Sequence, residues 1–359
     1  MRGSACVRRA KKVEVEAEIK ESSASFLSLN LNLVRFETMA VSAQLFYSGG
    51  RYLRDQFPYR VFKIAIDAGF TCPNRDGAAG RSGCVFCNNA SFSSNSRQAR
   101  TSVACQIEEG IRFYRERLAG HKFIVYFQAY TNTYGSVEQL RQVYDQAMDH
   151  PDVVGLAIGT RPDCVPDPVL DLLKEYATRT HLWLELGLQS SHDTTLRRLN
   201  RRHTYAQFLD AVRRAQQRAL RVCAHAILGL PGETRDMMLV TADRLAQLAV
   251  DGLKLHHLYV TTGTALERSY RRSAIRVLGL REYIGLVCDF LERIPSSVVV
   301  QRVTGEVAEP YVVAPHWGVT KLQVIHSINE EFRRRGTRQG SRVKQVEAEA
   351  QVKEVMERT

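Results

Sequence analysis

The sequence lacks the features of a membrane-spanning chain or of a secreted, disulfide-rich one. No run of 18 apolar residues occurs along its 359 residues, so no membrane-spanning helix is predicted. Eight cysteines are too few and too clustered for a disulfide scaffold in a chain of this length. No apolar core precedes a small-residue cleavage site near the start, so no secretory signal peptide is predicted. We expect a cytoplasmic protein with reduced thiols.

The charge is basic but spread along the chain. Lysine and arginine number 50 against 38 acidic residues, which gives a net charge of +12. A solvated basic face and an electrostatic footprint for nucleic acid both account for this excess. No basic low-complexity tail and no known RNA-binding signature is present, so charge alone supports a polyanionic partner only weakly. The basic clusters are Arg197-Arg198, Arg201-Arg202, Arg213-Arg214, Arg271-Arg272 and Arg333-Arg334-Arg335.

Three regions of the chain differ in character. Residues 1–38 combine a charged helical stretch with a patch rich in Ser, Leu and Asn. We interpret them as a poorly defined N-terminal extension, either an overlong gene start or a dispensable segment, with a helix packed on the body as the alternative. Residues 39–305 are predicted to form the core, and residues 306–359 a C-terminal extension, because the rhythm of the sequence changes near residue 305.

The core alternates short apolar runs with amphipathic stretches. The runs are rich in β-branched and aliphatic residues, as buried parallel strands are. This alternation predicts βαβ units and a parallel sheet of the α/β class, and the number of units favours a closed or partly open (β/α) barrel. The predicted strands are 61–68, 123–128, 153–159, 182–188, 222–228, 253–260 and 298–303, and the predicted helices include 136–149, 168–179, 205–219, 235–249 and 321–335.

The residues best suited to chemistry are Cys72, Cys84 and Cys87, which follow the first predicted strand. Sites in parallel barrels lie at the carboxyl ends of strands, so these thiolates are expected at the barrel mouth. Three thiolates without an obvious fourth ligand leave one metal position open for reaction, whereas four protein ligands indicate a structural site. Their spacing alone leaves zinc and an iron–sulfur cluster open. The remaining cysteines are interpreted as buried or incidental thiols.

Several motifs resemble the bacterial YhcC-like family of radical S-adenosylmethionine (SAM) proteins. The run Cys-Pro-Asn-Arg-Asp-Gly at 72–77 is followed, at a wide spacing, by Gly-Cys-Val-Phe-Cys-Asn at 83–88. The resemblance covers roughly residues 39–341. It implies a partial (β/α)6-type TIM barrel of the radical SAM kind with a small C-terminal α/β extension. The other matching segments are 128–133, 184–190, 199–203, 225–233, 254–256, 263–267 and 335–340.

The same resemblance implies an enzyme with two cofactors. Cys72, Cys84 and Cys87 would hold a [4Fe–4S] cluster, and the amino and carboxyl groups of SAM would bind its fourth iron. One electron from the reduced cluster would cleave SAM into methionine and a 5′-deoxyadenosyl radical that abstracts hydrogen from a substrate. An electron donor such as flavodoxin or ferredoxin is therefore expected as a partner.

Candidate contacts with the ribose and methionine parts of SAM follow from position within the family motifs. Glu185, Gln189 and Ser190 match a segment that binds the ribose of SAM in related enzymes, with a polar network at a strand end as the alternative. Arg201 is the candidate for the methionyl carboxylate, with a surface salt bridge as the alternative.

Further candidates lie in two other motifs. His225 and the turn containing Gly229, Pro231 and Gly232 match the strand on the adenine side, with a core histidine and a simple strand-to-helix turn as the alternatives. Many radical SAM enzymes grip the amino group of SAM with Gly-Gly-Glu after the second strand. This chain has Gln-Ala-Tyr-Thr-Asn at 128–132 instead, so Gln128 or Asn132 is the candidate there.

The resemblance also suggests a substrate. Segments 186–190, 229–233 and 298–303 are similar to the catalytic subunit of Elongator, which modifies the wobble uridine of tRNA, and the first two also to the coproporphyrinogen dehydrogenases. A basic surface fits an RNA substrate. The leading hypothesis is radical SAM chemistry in tRNA base modification. The alternatives are action on a small metabolite and a non-catalytic, metal-stabilised RNA-binding protein.

Overall fold

A parallel sheet of seven strands organises the protein. The computed structural model describes residues 44–93, 96 and 102–343, so the predicted extension over residues 1–38 lies outside the described residues. The sheet has the order β1-β2-β3-β4-β5-β6-β8 and curls into a half-barrel, which confirms the predicted partial α/β barrel. Its strands are β1 (Val61–Ile66), β2 (Lys122–Phe127), β3 (Val153–Thr160), β4 (His181–Gln189), β5 (Arg221–Leu228), β6 (Gly252–His257) and β8 (Val299–Arg302).

Each of the seven predicted strands has a counterpart in the sheet, but one predicted segment is divided between two strands. The predicted segment 253–260 is split, because β6 ends at His257. Val260–Thr261 then forms β7, which pairs antiparallel with β9 (Val312–Ala314). In this small second sheet, β7 comes from between β6 and β8 of the main sheet, and β9 follows β8 in the chain.

Helices cover the outer face of the sheet. The predicted helix 136–149 begins with a capping box in which the Ser136 side chain and the Gln139 side chain each bond the other residue's backbone N–H. The helix predicted over 168–179 begins one residue earlier, at Asp167, and Pro166 is its N-cap. None of the described helices is long and apolar enough to cross a membrane. The helices are α1 (Gly49–Gln56), α2 (Asn89–Phe92), α3 (Val103–Leu118), α4 (Val137–Met148), α5 (Asp167–Arg179), α6 (Asp193–Arg198), α7 (Tyr205–Gln216), α8 (Arg235–Gln247), α9 (Ala265–Arg271), α10 (Leu280–Leu291) and α11 (Lys321–Arg335).

The two faces of each strand carry different residues. Because successive side chains in a strand point to opposite faces, the leucines of β4 pack in the main core under the helices, whereas Trp183 packs in a second cluster and Glu185 meets an open cavity. The inner face is apolar near the amino ends of the strands and polar near their carboxyl ends. This division separates a packed lower interior from a cavity above it.

The lower interior is closed by α1. Tyr52 of this helix contacts Trp183 edge to face, with ring centroids 5.5 Å apart. The residue before the helix, Ser48, forms an isolated parallel bridge with Val300 of β8. These contacts place α1 against the inner face of the sheet and leave the carboxyl ends of the strands accessible.

The C-terminal motif at 335–340 serves the fold. Arg335 Nη1 lies 2.8 Å from Asp289 Oδ1, which ties α11 to α10. Gln339 Oε1 accepts a hydrogen bond from the Tyr47 backbone at 2.8 Å, and its Nε2 donates to the Val298 carbonyl at 2.9 Å. The motif therefore joins the segment before α1 to the edge strand β8.

Candidate functional site

A cavity opens at the carboxyl ends of the strands, where parallel barrels place their sites. It brings together eight of the residues singled out from the sequence. Five others are not in its lining and lie elsewhere: Asn132, Ser190, Gly229, Pro231 and Gly232. The eight that line it are Cys72, Cys84, Cys87, Gln128, Glu185, Gln189, Arg201 and His225.

The three cysteines sit on one tightly folded loop after β1, and all three are free thiols. Backbone N–H groups of the loop turn inward, so that Gly83 N donates to Asn74 O at 2.8 Å and Cys87 N donates to Cys84 O at 3.0 Å. Gly83 has a φ of 71°, a left-handed conformation that glycine adopts without a steric penalty. The glycine-rich spacing thus lets one loop present three separated thiols to one cavity.

The segment 199–203 fixes this loop. Asn74 Nδ2 donates to the Asn200 carbonyl at 2.6 Å, and Asn200 Nδ2 donates back to the Gly83 carbonyl at 2.7 Å. Val85 N also donates to Leu199 O at 3.1 Å. Reciprocal amide contacts of this kind hold the cysteine loop in place.

Cys84 receives two hydrogen-bond donors suited to a thiolate. Arg201 Nη1 lies 3.4 Å and Asn74 Nδ2 lies 3.5 Å from its Sγ. Hydrogen bonds to a ligating sulfur tune an iron–sulfur cluster. Burial raises the pKa of the Cys87 thiol. Arg75 Nη2 donates a hydrogen bond to the Cys87 carbonyl at 2.7 Å.

These features fit an iron–sulfur cubane. Among the residues that the structure describes, no three His, Cys, Asp or Glu side chains converge on one metal-ion position. Thiolates that ligate a cubane each bind a different iron, so they stand around the cluster and need not meet at a point. Three thiols around one cavity, with a guanidinium and an amide aimed at one sulfur, satisfy that requirement.

Arg201 is held firmly beneath the loop. Its Nη2 donates to the Gly187 carbonyl at 2.7 Å and its Nε donates to His203 Nε2 at 3.1 Å. Burial lowers the pKa of His203 to about 2, and the Arg201 charge acts in the same direction, so this imidazole is neutral and accepts. A Cβ at Gly187 would lie 2.8 Å from Gln189 Nε2 and 3.2 Å from Arg201 Nη2, which explains the glycine there.

Glu185 is the centre of a buried ion network on the inner face. Its Oε1 accepts from Lys63 Nζ at 3.2 Å, and its Oε2 accepts from Lys254 Nζ and from His225 Nε2, the latter at 3.0 Å. The side chain of Glu185 is 0% exposed. Both carboxylate oxygens are thus hydrogen-bonded within the protein. The network joins β1, β4, β5 and β6 under the cavity.

The charges of this network shift its pKa values. Burial alone would raise the pKa of Glu185, but the Lys254 and Lys63 ammonium groups hold it well below its usual range. Burial lowers the pKa of Lys254 to about 8 against the opposing effect of Glu185, and the charge of Lys63 acts in the same direction as burial. Burial also lowers the pKa of His225 to about 4. At neutral pH the network therefore holds an ionised carboxylate and a neutral imidazole.

The candidates near the amino group of SAM differ in position. Gln128 lines the cavity, and its Nε2 donates to the Phe92 carbonyl at 3.4 Å. Asn132 is fully buried, and its Nδ2 bonds the carbonyls of Phe127 and Gly159 at 3.0 and 2.8 Å. Gln128 is therefore the residue that the cavity exposes, whereas Asn132 joins the ends of β2 and β3.

The four remaining candidates lie outside the cavity lining. Ser190 Oγ is bonded to Glu233 and accepts from the His192 backbone at 3.1 Å. Gly229, Pro231 and Gly232 line a separate groove. The two glycines have φ values of 83° and 79°, and a Cβ at Gly232 would lie 1.6 Å from the Arg198 guanidinium. Their surroundings require glycine for the turn itself, and their cofactor roles stay predictions.

Several cavity and network residues were not singled out as site residues from the sequence. Asn74 and Arg75 stand inside the cysteine motif, and Lys254 inside the segment 254–256, so the motifs contained a usable signal. Lys63 interrupts an apolar strand, which is also a signal, because a lysine inside such a run is rarely buried without a partner. Arg302 lies in the segment 298–303, which is similar to the catalytic subunit of Elongator, so it too had a signal besides its place at the end of a predicted strand.

The sequence of this chain is similar to those of known proteins. The Radical SAM superfamily model matches residues 71–245, and the Radical_SAM C-terminal domain model matches residues 250–334. Protein YhcC of Escherichia coli (strain K12) is 40% identical over 269 residues, which cover 75% of this chain and 86% of YhcC.

Two more distant similarities concern parts of larger proteins. A tRNA uridine(34) acetyltransferase of Dehalococcoides mccartyi (strain CBDB1) is 26% identical over 183 residues, which are 50% of this chain and 39% of that protein. The structure of archaeal Elp3 from Methanocaldococcus infernus, with an N-terminal deletion, matches with a TM-score of 0.58 and 17% identity, over 78% of this chain and 64% of that one. At this identity the structural match supports the fold alone.

These findings confirm the resemblance drawn from the cysteine motif and decide between the open interpretations. The enzyme is confirmed over the non-catalytic protein, and the iron–sulfur cofactor over zinc. With the fold, the three thiols at the mouth of the half-barrel and a close relative that is covered over most of its length, this chain belongs to the radical SAM superfamily, the enzymes that use a [4Fe–4S] cluster and SAM.

Proposed function

We propose that this enzyme modifies a base of tRNA by radical SAM chemistry at the cavity above the inner network. Cys72, Cys84 and Cys87 are the proposed cluster ligands, and Gln128, Glu185, Gln189, Arg201 and His225 the proposed contacts to SAM. The observation that carries the substrate assignment is a pair of exposed aromatic side chains in the lining of the same cavity, Phe92 and Tyr130.

When bound at Cys72, Cys84 and Cys87, the cluster would supply the one-electron chemistry by which SAM is cleaved and hydrogen is taken from the substrate. The protein's own residues prepare the site. Arg201 and Asn74 donate to Cys84 Sγ and keep that thiolate oriented. The main core under the helices and the apolar cluster of the lower interior keep water from reaching the cavity through the sheet. An electron donor such as flavodoxin or ferredoxin is part of the proposal.

The aromatic pair suits a nucleobase. Phe92 is 37% exposed and Tyr130 is 36% exposed, and they are two of only four large hydrophobic side chains classed as exposed in the described residues. An enzyme that acts on a base takes it out of the stack, and aromatic side chains then replace the lost stacking partners. Tyr130 also has a φ of 62°, a costly conformation for a non-glycine residue that often marks a functional position.

Two further observations support RNA. The net charge of +12 favours a polyanion. The matched half of the chain is similar to part of a tRNA uridine(34) acetyltransferase, a protein whose name describes action on tRNA. Neither observation depends on the aromatic pair.

The direct test compares tRNA nucleosides by mass spectrometry from cells with and without the gene. We expect one modified nucleoside to disappear, or its precursor to accumulate, when the gene is deleted. Restoring the wild-type gene should recover it, and a Cys84→Ala gene should not. Identical nucleoside profiles in the two strains would overturn the tRNA proposal and favour a small metabolite.

A binding test addresses the aromatic pair. Phe92→Ala should weaken tRNA binding by about 1–3 kcal/mol, the usual contribution of one base–aromatic stack. Phe113→Ala, the same change on the outer helix α3, is the control and should have no effect. Binding of wild-type protein should fall steeply as salt rises, and salt-independent binding would contradict an RNA substrate.

A further inference from the structure

Four arginines line the cavity, and three of them are held by protein acceptors. Arg75 bonds the Cys87 carbonyl at 2.7 Å. Arg161 forms a two-point contact with Asp163 at 2.9 and 2.7 Å. Arg201 bonds the Gly187 carbonyl at 2.7 Å. Each of these three guanidinium groups therefore already has an acceptor within the protein.

Arg302 is different. It is the last residue of β8 and is half-buried, and within the described residues its guanidinium has no hydrogen bond and no ion pair. A guanidinium presents its donors in a rigid planar fork that matches the two oxygens of a carboxylate or phosphate. The Arg302 guanidinium faces the cavity and has no acceptor among the described residues, so it can bind an anionic group of a ligand.

The nearby carboxylates do not supply that acceptor. Glu185 is already shared by Lys63 and Lys254. Lys63 Nζ also donates to Gln301 Oε1 at 2.7 Å. The other carboxylate in the lining, Glu306, pairs with Lys321 at 3.3 Å. Around the inner network, three cations therefore face one carboxylate.

The charge of Arg302 reaches the groups beside it. Burial, and next the Arg302 charge, hold the pKa of His256 well below its usual range. Arg302 also contributes to the lowered pKa of Lys254, after burial and the opposing effect of Glu185. The cavity floor is therefore an electropositive and partly desolvated region, where an anion would be bound more strongly than at the surface.

We propose that Arg302 is the specificity residue for an anionic oxygen group of the substrate, a carboxylate or a phosphate, which binds to its guanidinium at the β8 side of the cavity. The inference rests on the proposed function only in taking this cavity as the substrate's site. The site lies at the edge strand β8, whereas β2, which leads to Gln128, lies next to the other edge of the sheet. Arg201, bonded beside Cys84, stays the candidate for the cofactor's own carboxylate.

The test measures binding of small anions to the cluster-loaded enzyme. Inorganic phosphate and acetate are titrated separately at constant ionic strength into wild type, Arg302→Gln, Arg302→Lys and the control Arg213→Gln. Arg213 is an exposed arginine on α7 outside the cavity lining, so its change removes the same charge. Iron content and circular dichroism of each variant report whether it is folded and loaded.

We expect one saturable anion site in wild type and in Arg213→Gln. Arg302→Gln should weaken it by about 10-fold or more, as loss of a charge-assisted hydrogen bond does. Arg302→Lys should bind between the two, because it keeps the charge without the fork. Preference for phosphate would identify a phosphoryl group on the substrate, and preference for acetate a carboxylate.

Two results would overturn the inference: no saturable site in wild type, or equal affinity in wild type and Arg302→Gln. Neither result bears on SAM cleavage or on the nucleoside profile of the wild-type gene. Failure of the anion site can therefore be told apart from failure of the tRNA proposal. If Arg302→Gln does not load its cluster, the comparison of wild type with Arg302→Lys decides the question.

Discussion

The lower and upper halves of the barrel interior are built from the same strands yet differ in chemistry. In the lower half, Tyr52, Trp183 and Val299 pack into an apolar cluster closed by α1. In the upper half, two residues further along β4, Glu185 joins Lys254 in a buried ion network under the cavity. Trp183 and Glu185 lie on the same face of β4, two residues apart, so one step of the strand's period separates the apolar cluster from the ion network under the cavity.

The difference separates stability from chemistry. The lower interior gains from burial of aromatic surface, whereas the upper interior holds charges that are costly to bury and stable only as a set. A rigid floor below allows the groups above to be fixed in place, since their strands cannot shift in register without exposing the floor. Variants in the two halves should therefore fail in different ways.

The largest effect is expected in the upper half at the cysteine loop. Cys84→Ala removes one of three thiols and should abolish iron incorporation and SAM cleavage, measured by iron content and by 5′-deoxyadenosine after reduction. Cys105→Ala is the control, because Cys105 is exposed on α3 and outside the cavity lining. Retention of iron and of SAM cleavage in Cys84→Ala would contradict the proposed ligand set.

The next effect concerns the ion network. Glu185→Gln leaves Lys63 and Lys254 without a countercharge and should lower the free energy of unfolding by about 3–5 kcal/mol at neutral pH. The measurement is urea unfolding. A Glu185→Gln, Lys254→Met double variant should lose less than the sum of the two single losses, because it removes both members of a pair. Additive losses would mean that the two side chains do not interact.

In the lower half, a comparable loss of stability should leave the chemistry intact. Trp183→Ala empties the apolar floor and should cost about 3–5 kcal/mol of unfolding free energy. Below its unfolding transition, the variant should still load iron and cleave SAM at the wild-type rate per folded molecule. Loss of SAM cleavage in a folded Trp183→Ala protein would show that the two halves are not independent.

The smallest effect is a difference in acid sensitivity. Because burial lowers the pKa of His225 from 6.5 to about 4, at pH 5 this imidazole is protonated only in the unfolded chain. Lowering the pH from 6.5 to 5 should therefore cost wild type about 2 kcal/mol at this site, at ~1.4 kcal/mol per pH unit. His225→Gln should lose correspondingly less over the same interval, as measured by urea unfolding at both pH values. Equal losses would show that the imidazole is not held neutral.

Much of the architecture could be predicted from local patterns. The seven strand positions and the cysteine loop follow from apolar runs and motif spacing, which are properties of neighbouring residues. The roles of individual polar residues were harder to predict. Glu185 was predicted as a ribose contact, with a polar network at a strand end as the alternative. Both of its oxygens are bonded to Lys63, Lys254 and His225, which come from three other strands.

Alternation of apolar runs and helices determined the α/β class, and the cysteine spacing with its accompanying motifs determined the family and its cofactors. Those signals are local, because side-chain periodicity and loop length are set within a few residues. Only the tertiary structure decided which polar groups meet. The register between strands pairs His225 with Lys254, and the curl of the sheet brings Arg302 to the cavity, where its guanidinium has no hydrogen bond to any described residue. Such contacts depend on the register and curvature of strands that are far apart in the sequence, which no single segment encodes.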